Sequence, residues 1–275
     1  MKIITGERLQ EKADVYFCDE SYIGSCTHND YIISQNKHKF ISSLRENEVW
    51  DNPHTMFCYG DWLDLFSEKL DLFKNDFILI SHNSDYNVTE NDTALRILNH
   101  PKVVEWRAQN VCFDHPKLKF LPIGIANRQW SHGSLFEEFY KRVDLKSLER
   151  NKLGEVYFNF QISTNAAKRQ PCYDSLCKKL DFLPGLPALE NFERLAKYKY
   201  CICPEGNGVD THRLWEALYL KCIPIVIDSP FIRVLQKQAN IPLVVISSWD
   251  DFCVENLPPY EDTIIQAVPS SLNLE

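Results

Sequence analysis

The residues best suited to chemistry follow a short apolar run near position 200. Two glycines in the loop, Gly206 and Gly208, permit positive φ and a close approach of a ligand to the main chain. The next segment, Asp210–Lys221, has the length of a helix, and the N–H groups at a helix start bind anions. Arg213 adds a fixed positive charge, and Glu216, one turn further, can accept hydrogen bonds from two sugar hydroxyls. These types and this spacing suit a nucleotide diphosphate with its ribose.

The elements that position these residues form a strand–loop–helix–strand unit. The strands are the apolar runs Tyr200–Cys203 and Ile223–Ile227, and Pro224 prevents the helix from continuing into the second run. Asp210 or Thr211 can cap the helix. The same pattern also fits an N-capped surface helix, in which a pair of oppositely charged residues three apart contributes about 0.3 kcal/mol. Spacing alone leaves both interpretations open.

The stretch PEGNGVDTHRLWEALYLKCIPIV, residues 204–226, resembles the donor-binding segment of exostosin-like glycosyltransferases. It is more loosely similar to the corresponding segment of fucosyltransferases. Lys221 is a departure, because these families usually have Gly there. The resemblance implies an inverting glycosyltransferase that uses a nucleotide-diphosphate sugar, UDP-linked, and transfers a hexose or pentose to the hydroxyl of an oligosaccharide or other glycan acceptor. The residues expected to contact the donor are Arg169, Glu205, Gly206, Asn207, Gly208, Thr211, His212, Arg213 and Glu216.

Arg169 enters this set through a second resemblance. The loop from Ser163 to Arg169 is similar to a strand-end motif of fucosyltransferases and exostosins whose Arg contacts the donor diphosphate. A guanidinium group matches phosphate oxygens and stabilises the leaving diphosphate as its charge grows. The alternative is a solvated Arg in the first turn of a helix, a position that the helix dipole disfavours.

Inverting transfer needs a base that takes the proton of the acceptor hydroxyl. The first choice is Asp85, a carboxylate that follows the apolar run Phe77–Ser81, and the second is His82, whose ordinary pKa is near neutrality. Asp19 and Glu20 come third. Asp85 also fits a plain Asx turn in a loop. Three aromatic residues can stack on sugar rings, although such residues more often belong to the core: Tyr86, Trp106 and Trp130.

Composition and absent motifs narrow the function further. The net charge of −8 argues against a nucleic-acid partner. No two aspartates are two apart and no H-E-x-x-H occurs, so the sequence predicts a metal-independent site without a cofactor. No apolar run reaches the ~18 residues of a membrane span, and the N-terminus has no signal-like apolar region. Ten cysteines without C-x-x-C indicate buried free thiols in a reducing compartment. We therefore expect a soluble cytoplasmic protein.

Alternating apolar runs and helical patterns predict an α/β fold with parallel sheets. The simplest architecture is two Rossmann-like lobes facing a cleft, as in GT-B enzymes, with ligands at the carboxyl ends of the strands. A charged stretch around residues 144–154 marks the boundary. We predict an N-terminal acceptor-side lobe over 1–150, a C-terminal donor lobe over 151–256, and a tail, 257–275, that crosses back to the first lobe. The predicted helices include Lys37–Glu46 and Asp61–Phe73.

The small size, the missing anchor and the motif together resemble soluble family members from large algal DNA viruses, among them a xylosyltransferase. That resemblance implies xylose as the sugar and the host cytoplasm as the location. Two other classes remain open. One is a non-catalytic nucleotide- or glycan-binding module of the same fold, and the other is a different doubly wound enzyme such as a hydrolase. Against the hydrolase, the chain has no G-x-S-x-G elbow.

Overall fold

A computed structural model describes residues 3–19, 37–46 and 48–265, and the chain divides into two compact units. The first unit is Ile4–Ile123, and the second comprises Met1–Ile3 and Gly124–Glu275. Each contains one sheet whose strands all run parallel. The predicted α/β class with parallel sheets is therefore confirmed. The arrangement of two lobes facing a cleft stays a prediction.

The sheet of the first unit has the strand order β2-β1-β3-β4-β5-β6. Its strands are β1 Val15–Cys18, β2 His38–Phe40, β3 Thr55–Tyr59, β4 Phe77–His82, β5 Val103–Ala108 and β6 Leu118–Phe120. The α-helices described in this unit are α1 Gly6–Gln10, α2 Leu63–Ser67 and α3 Asp92–Asn99. The inner strands are apolar runs buried on both faces, as a parallel sheet requires.

Two predicted helices of the first unit are wrong in form. Lys37–Glu46 contains the short strand β2, which pairs with β1 at the sheet edge, and the 3-10 turn Ile41–Ser43. This edge strand has only three residues, and all three are half-buried. Its alternation of apolar and polar residues is therefore too weak to be recognised among the charged residues around it. Asp61–Phe73 is broken into the 3-10 turn Gly60–Trp62, α2 and a second 3-10 turn, although its apolar residues still pack inward as predicted.

The sheet of the second unit has the order β10-β9-β8-β7. Its strands are β7 Gly154–Tyr157, β8 Tyr198–Ile202, β9 Ile223–Ile227 and β10 Val244–Ile246. The α-helices described in this unit are α4 Ser131–Arg142, α5 Leu145–Arg150, α6 Ala166–Leu176, α7 Ala188–Leu195, α8 His212–Tyr219, α9 Pro230–Gln238 and α10 Tyr260–Ile265. Aromatic and aliphatic side chains from β8, β9 and the segment after β7 form its core.

The unit boundary falls at Ile123/Gly124, whereas the sequence placed it at residue 150. Helix α4 packs on α7 through Phe136 and Phe192, whose ring centroids lie 4.9 Å apart at 86°. Phe136 also contacts Tyr219 of α8, at 6.1 Å between centroids. Buried aromatic contacts of this kind bind α4 to the second unit, and a charged composition near residue 150 does not reveal them.

The described part of the tail packs on the second unit. The Tyr260 hydroxyl donates to the backbone oxygen of Lys221 at 2.6 Å, and the Tyr200 hydroxyl donates to that of Pro258. Residues 266–275 lie outside the described part of the chain. The predicted buried free thiols are present, since Cys201, Cys203 and Cys222 are buried and unbridged. Among the described residues, no helix has both the length and the apolar character needed to cross a bilayer.

Candidate functional site

The glycine loop between β8 and α8 is held in place by hydrogen bonds to its main chain. The Gly206 N–H donates to the Gly208 oxygen at 3.1 Å, and the Asn165 amide donates to the Gly206 oxygen at 2.6 Å. Neither glycine uses the positive φ that its type permits. An added Cβ at Gly206 would lie 3.3 Å from Nη2 of Arg169, so the loop runs close to this guanidinium group. The close approach of a ligand to the main chain stays a prediction.

Arg169 is fixed by two backbone oxygens and is not a solvated surface residue. Its Nε donates to Glu205 O at 3.0 Å and its Nη1 to Gln161 O at 2.8 Å. The guanidinium also lies 5.8 Å from the ring centroid of Phe160. Burial, and then the positive charge of Arg213, lower the pKa of Arg169. The two guanidinium groups are thus close enough to repel, and a bound anion would relieve that repulsion.

Arg213 and Glu216 form a buried pair on α8. The Arg213 Nε donates to Glu216 Oε2 at 3.1 Å, and the side chains are only 20% and 8% exposed. Nη1 of Arg213 donates to Asn159 O at 2.7 Å, and the guanidinium lies 5.6 Å from the ring centroid of Tyr157. Burial is the largest effect and opposes the charge of Arg213, but the Glu216 carboxylate together with Cys201, Tyr157 and Cys203 outweighs it, so the pKa of Arg213 is raised. The alternative of a surface helix pair is therefore wrong.

The N-cap residue of α8 is Thr211, and its hydroxyl accepts no hydrogen bond from the first turn. Asp210, the other predicted cap, instead accepts from the indole of Trp215 at 2.7 Å. Nδ1 of His212 lies 2.8 Å from Gly124 O, and a carbonyl partner requires that this nitrogen carry the proton. His212 therefore anchors the helix start to the chain segment before α4.

A cavity of about 280 Å³ opens at the carboxyl ends of β8, β9 and β10. This size is near the lower end of the ~300–1,000 Å³ typical of ligand pockets. Glu205 and Thr211 of the predicted set line it, together with Lys168 at the rim, whose Nζ lies 2.9 Å from Glu205 Oε2. Ligands of parallel sheets bind at such strand ends.

Several lining residues escaped the sequence analysis, namely Pro171, Ser229, Ser247, Ser248 and Trp249. The serines and Trp249 follow β9 and β10 directly, so applying the strand-end rule to those two strands would have found them. The motif alone could not, because it ends at β9. Of the predicted set, Arg169 and Gly206 lie together beside the glycine loop. Asn207 is exposed, and Arg213 with Glu216 is turned inward.

The two proposed bases of the first unit differ in their surroundings. His82 is 2% exposed, its Nε2 lies 3.0 Å from Pro122 O, and its Nδ1 lies 3.3 Å from the side-chain oxygen of Asn83. These contacts disfavour His82 as a base. Asp85 is exposed in the loop after β4, and its charge helps to raise the pKa of a nearby carboxyl group, Asp61. Glu20 lies outside the described residues.

A second cavity, of about 320 Å³, lies within the first unit at the carboxyl ends of β3 and β4. Asp61, Asp64 and Ser84 line it, and the buried ring of Trp106 contributes to its wall. Asp61 was not predicted as a site residue, because the sequence pattern placed it at the start of the predicted helix Asp61–Phe73. A polar residue directly after the apolar strand β3 was the available signal.

Comparison with known proteins gives a partial likeness. No protein-family model matches the chain. Over 66 residues, 24% of this chain and 12% of the relative, it is 30% identical to a probable glycosyltransferase of Arabidopsis thaliana. Over 84 residues, 30% of this chain and 14% of the relative, it is 27% identical to a second probable glycosyltransferase of that plant. The chain thus matches less than a sixth of the length of these relatives. Over part of its length, the chain is similar to proteins named as glycosyltransferases.

Proposed function

We propose that this protein transfers a sugar from a UDP-linked donor to a glycan hydroxyl, with inversion and without a metal ion. The observation that carries the proposal is the guanidinium group of Arg169, which backbone oxygens of Glu205 and Gln161 hold beside the glycine loop, with the charge of Arg213 near enough to lower its pKa. The partial similarity to probable glycosyltransferases supports glycosyl transfer in general.

The cationic side chains around the loop can meet a diphosphate. Lys168 pairs with Glu205 and Arg213 with Glu216, whereas Arg169 is held by the backbone oxygens of Glu205 and Gln161. Because Arg169 is fixed by backbone oxygens before any ligand arrives, little reorganisation is needed when charge develops on the leaving diphosphate. The start of α8, where the Thr211 hydroxyl accepts no hydrogen bond from the first turn, adds to this attraction. Together these groups substitute for a metal ion in our proposal.

The cavity of the second unit suits the nucleoside part of the donor. Its wall combines apolar residues such as Val226 and Ile232 with the hydroxyls of Ser247 and Ser248 and the indole of Trp249. Apolar walls with a few polar groups are the usual composition of small-molecule sites. We assign uridine to it, and xylose as the transferred sugar, on the strength of the exostosin-like motif and its viral members. A cytoplasmic location belongs to the same proposal.

Isothermal titration with UDP and GDP, in buffer containing EDTA, tests the donor half. We expect UDP to bind and GDP to bind more weakly. Arg169→Ala should weaken UDP binding roughly 10- to 100-fold, because it removes charge-assisted hydrogen bonds worth about 1.5–3 kcal/mol. The matched control is Arg142→Ala, at the exposed end of α4 and outside the cavity lining, which should leave the affinity unchanged.

Two outcomes would contradict this proposal. If binding requires added Mn²⁺, the site depends on a metal. If neither UDP nor GDP binds to the folded protein, the assignment of a nucleotide donor fails. The alternative, a binding module without catalysis, predicts UDP binding with no transfer and no slow hydrolysis of UDP-xylose or UDP-glucose. Measuring UDP release from those two sugars, with and without methyl glycosides as acceptors, separates the alternatives.

A further inference from the structure

The cavity of the first unit is built from polar side chains around an aromatic wall. The indole N–H of Trp106 donates to Ser81 Oγ at 2.8 Å, so the wall is held by a buried hydrogen bond. Among the lining residues that the structure describes, the charged side chains are acidic, Asp61 and Asp64, with His82 as the one imidazole. An aromatic wall next to carboxylate and hydroxyl groups suits a neutral, polyhydroxylated ligand such as a saccharide.

Asp61 lies next to the hydroxyl group of Ser84. The backbone N–H of Tyr86 donates to Ser84 Oγ at 3.2 Å, and the Ser84 hydroxyl is near enough to Asp61 to act on the pKa of its carboxyl group. Gly60 lets the turn after β3 approach this serine, because an added Cβ would lie 2.6 Å from the Cβ of Ser84. The Asp61 carboxylate therefore lines the cavity beside a polar group, where it can meet a hydroxyl group of a ligand.

The electrostatics of Asp61 also suit proton transfer. Burial is the main cause that raises the pKa of Asp61. The negative charge of Asp85 raises this pKa further, and the nearby Ser84 hydroxyl partly opposes the increase. The negative charge of Asp61 in turn helps to raise the pKa of Cys58 on β3. A base with a pKa raised toward the working pH holds a transferred proton better than an ordinary aspartate.

The other acidic and basic groups near the cavity are less suitable. Asp64 already accepts a short hydrogen bond of 2.5 Å from Thr93 Oγ1. Both ring nitrogens of His82 face protein oxygens. Asp85 is exposed and does not line the cavity, so its carboxylate is in an ordinary aqueous environment.

We infer that this cavity binds the saccharide acceptor and that Asp61, in place of Asp85 or His82, is the catalytic base. This inference rests on the proposed function. In the reaction, the acceptor hydroxyl gives its proton to the Asp61 carboxylate as its oxygen forms a bond to the anomeric carbon. The bond from that carbon to the β-phosphate oxygen breaks, and its electron pair leaves with UDP.

Acceptor binding can be tested without any donor. Each of the six tryptophans gives one indole signal in a ¹⁵N NMR spectrum, and Trp106 reports on this cavity. Titration with methyl glycosides of xylose, glucose, galactose, fucose and rhamnose should shift the Trp106 signal for at least one sugar. An unchanged Trp106 signal throughout the series would overturn the assignment of the cavity. This result is independent of UDP binding, so failure of the donor site would be recognised separately.

The base assignment is tested by turnover, read as UDP release from UDP-xylose or UDP-glucose. Asp61→Asn should lower turnover about 10²- to 10⁴-fold, the range of general-base catalysis, with the affinity for UDP unchanged. Asp61→Glu should restore part of the rate. The control is Asp71→Asn, a fully exposed carboxylate of the same unit, which should leave turnover unchanged.

The pH profile distinguishes a base from a merely structural residue. Turnover should rise with pH as Asp61 ionises. Asp85→Asn removes a charge that raises the pKa of Asp61, so the acid limb should move to lower pH while turnover at neutral pH is largely kept. If Asp85→Asn abolishes turnover and Asp61→Asn does not, Asp85 is the base and our inference is wrong.

Discussion

Each of the two units contains a cavity, and the charged side chains in and around the two cavities differ. In the second unit, Lys168 and Glu205 line the cavity as an ion pair, Arg169 lies beside Gly206 of the glycine loop, and Arg213 pairs with Glu216 on α8. In the first unit, the charged lining residues that the structure describes are aspartates. Both cavities open at carboxyl ends of parallel strands. In our proposal, the same architecture offers one site for an anion and another that removes a proton from a neutral ligand.

The largest expected effect is the loss of stability when the buried ion pair on α8 is broken. Arg213→Ala leaves the buried Glu216 carboxylate without its partner, and removing one member of a buried ion pair costs about 3–5 kcal/mol. We expect a loss of that size in the free energy of unfolding, measured by urea denaturation. Arg142→Ala, by comparison, should change it by less than about 0.5 kcal/mol. An equally small effect for Arg213→Ala would mean that the pair is not buried.

A smaller effect concerns the C-terminal end of α8. Lys221 adopts φ 57°, and its N–H and that of Cys222 donate to Leu218 O and Ala217 O, as in a Schellman motif. Glycine is favoured at this left-handed position, which explains why the resembling families have Gly where this chain has Lys. Lys221 gains a contact of 2.9 Å to Glu149 in exchange.

We therefore expect Lys221→Gly to stabilise the second unit by about 0.5–1 kcal/mol, since about 1–2 kcal/mol of left-handed strain outweighs one partly exposed ion pair. Urea denaturation measures the change. Glu149→Gln is the matched control, because it removes the ion pair and keeps the strain, and it should be neutral or slightly destabilising. A net loss of stability in Lys221→Gly would show that the Glu149 contact is the stronger contribution.

The smallest expected effect is the contribution of Asp61 to the pH dependence of stability. Because the folded-state pKa of Asp61 is raised, the folded protein holds this proton more tightly than the unfolded chain, and stability falls as pH rises from the ordinary pKa through the raised one. Asp61→Asn should therefore raise the melting temperature at neutral pH while it lowers turnover. Asp71→Asn should do neither. A lower melting temperature for Asp61→Asn would show that the carboxylate is stabilising in the fold.

The sequence predicted the buried parallel strands well and missed the edge strand β2. The predicted runs Phe77–Ser81 and Ile223–Ile227 agree with the observed strands Phe77–His82 and Ile223–Ile227 to within one residue, because a continuous apolar run between polar loops is typical of a buried strand. His38–Phe40 escaped prediction because its pairing with β1 is a tertiary contact that leaves little local pattern. The motif located the glycine loop and α8. It could not reveal that Arg213 faces Asn159, since that contact joins residues far apart in the chain.

The account depends most directly on where a uridine diphosphate binds. Two indoles report on the second unit: Trp249 lines its cavity, and Trp215 is hydrogen-bonded to Asp210 at the end of the glycine loop. Titration of the ¹⁵N-labelled protein with UDP, in the presence of EDTA, should shift the Trp249 and Trp215 signals and leave Trp106 in place. A shift of Trp106 with Trp249 unchanged, or no shift at all, would contradict the assignment of the donor site.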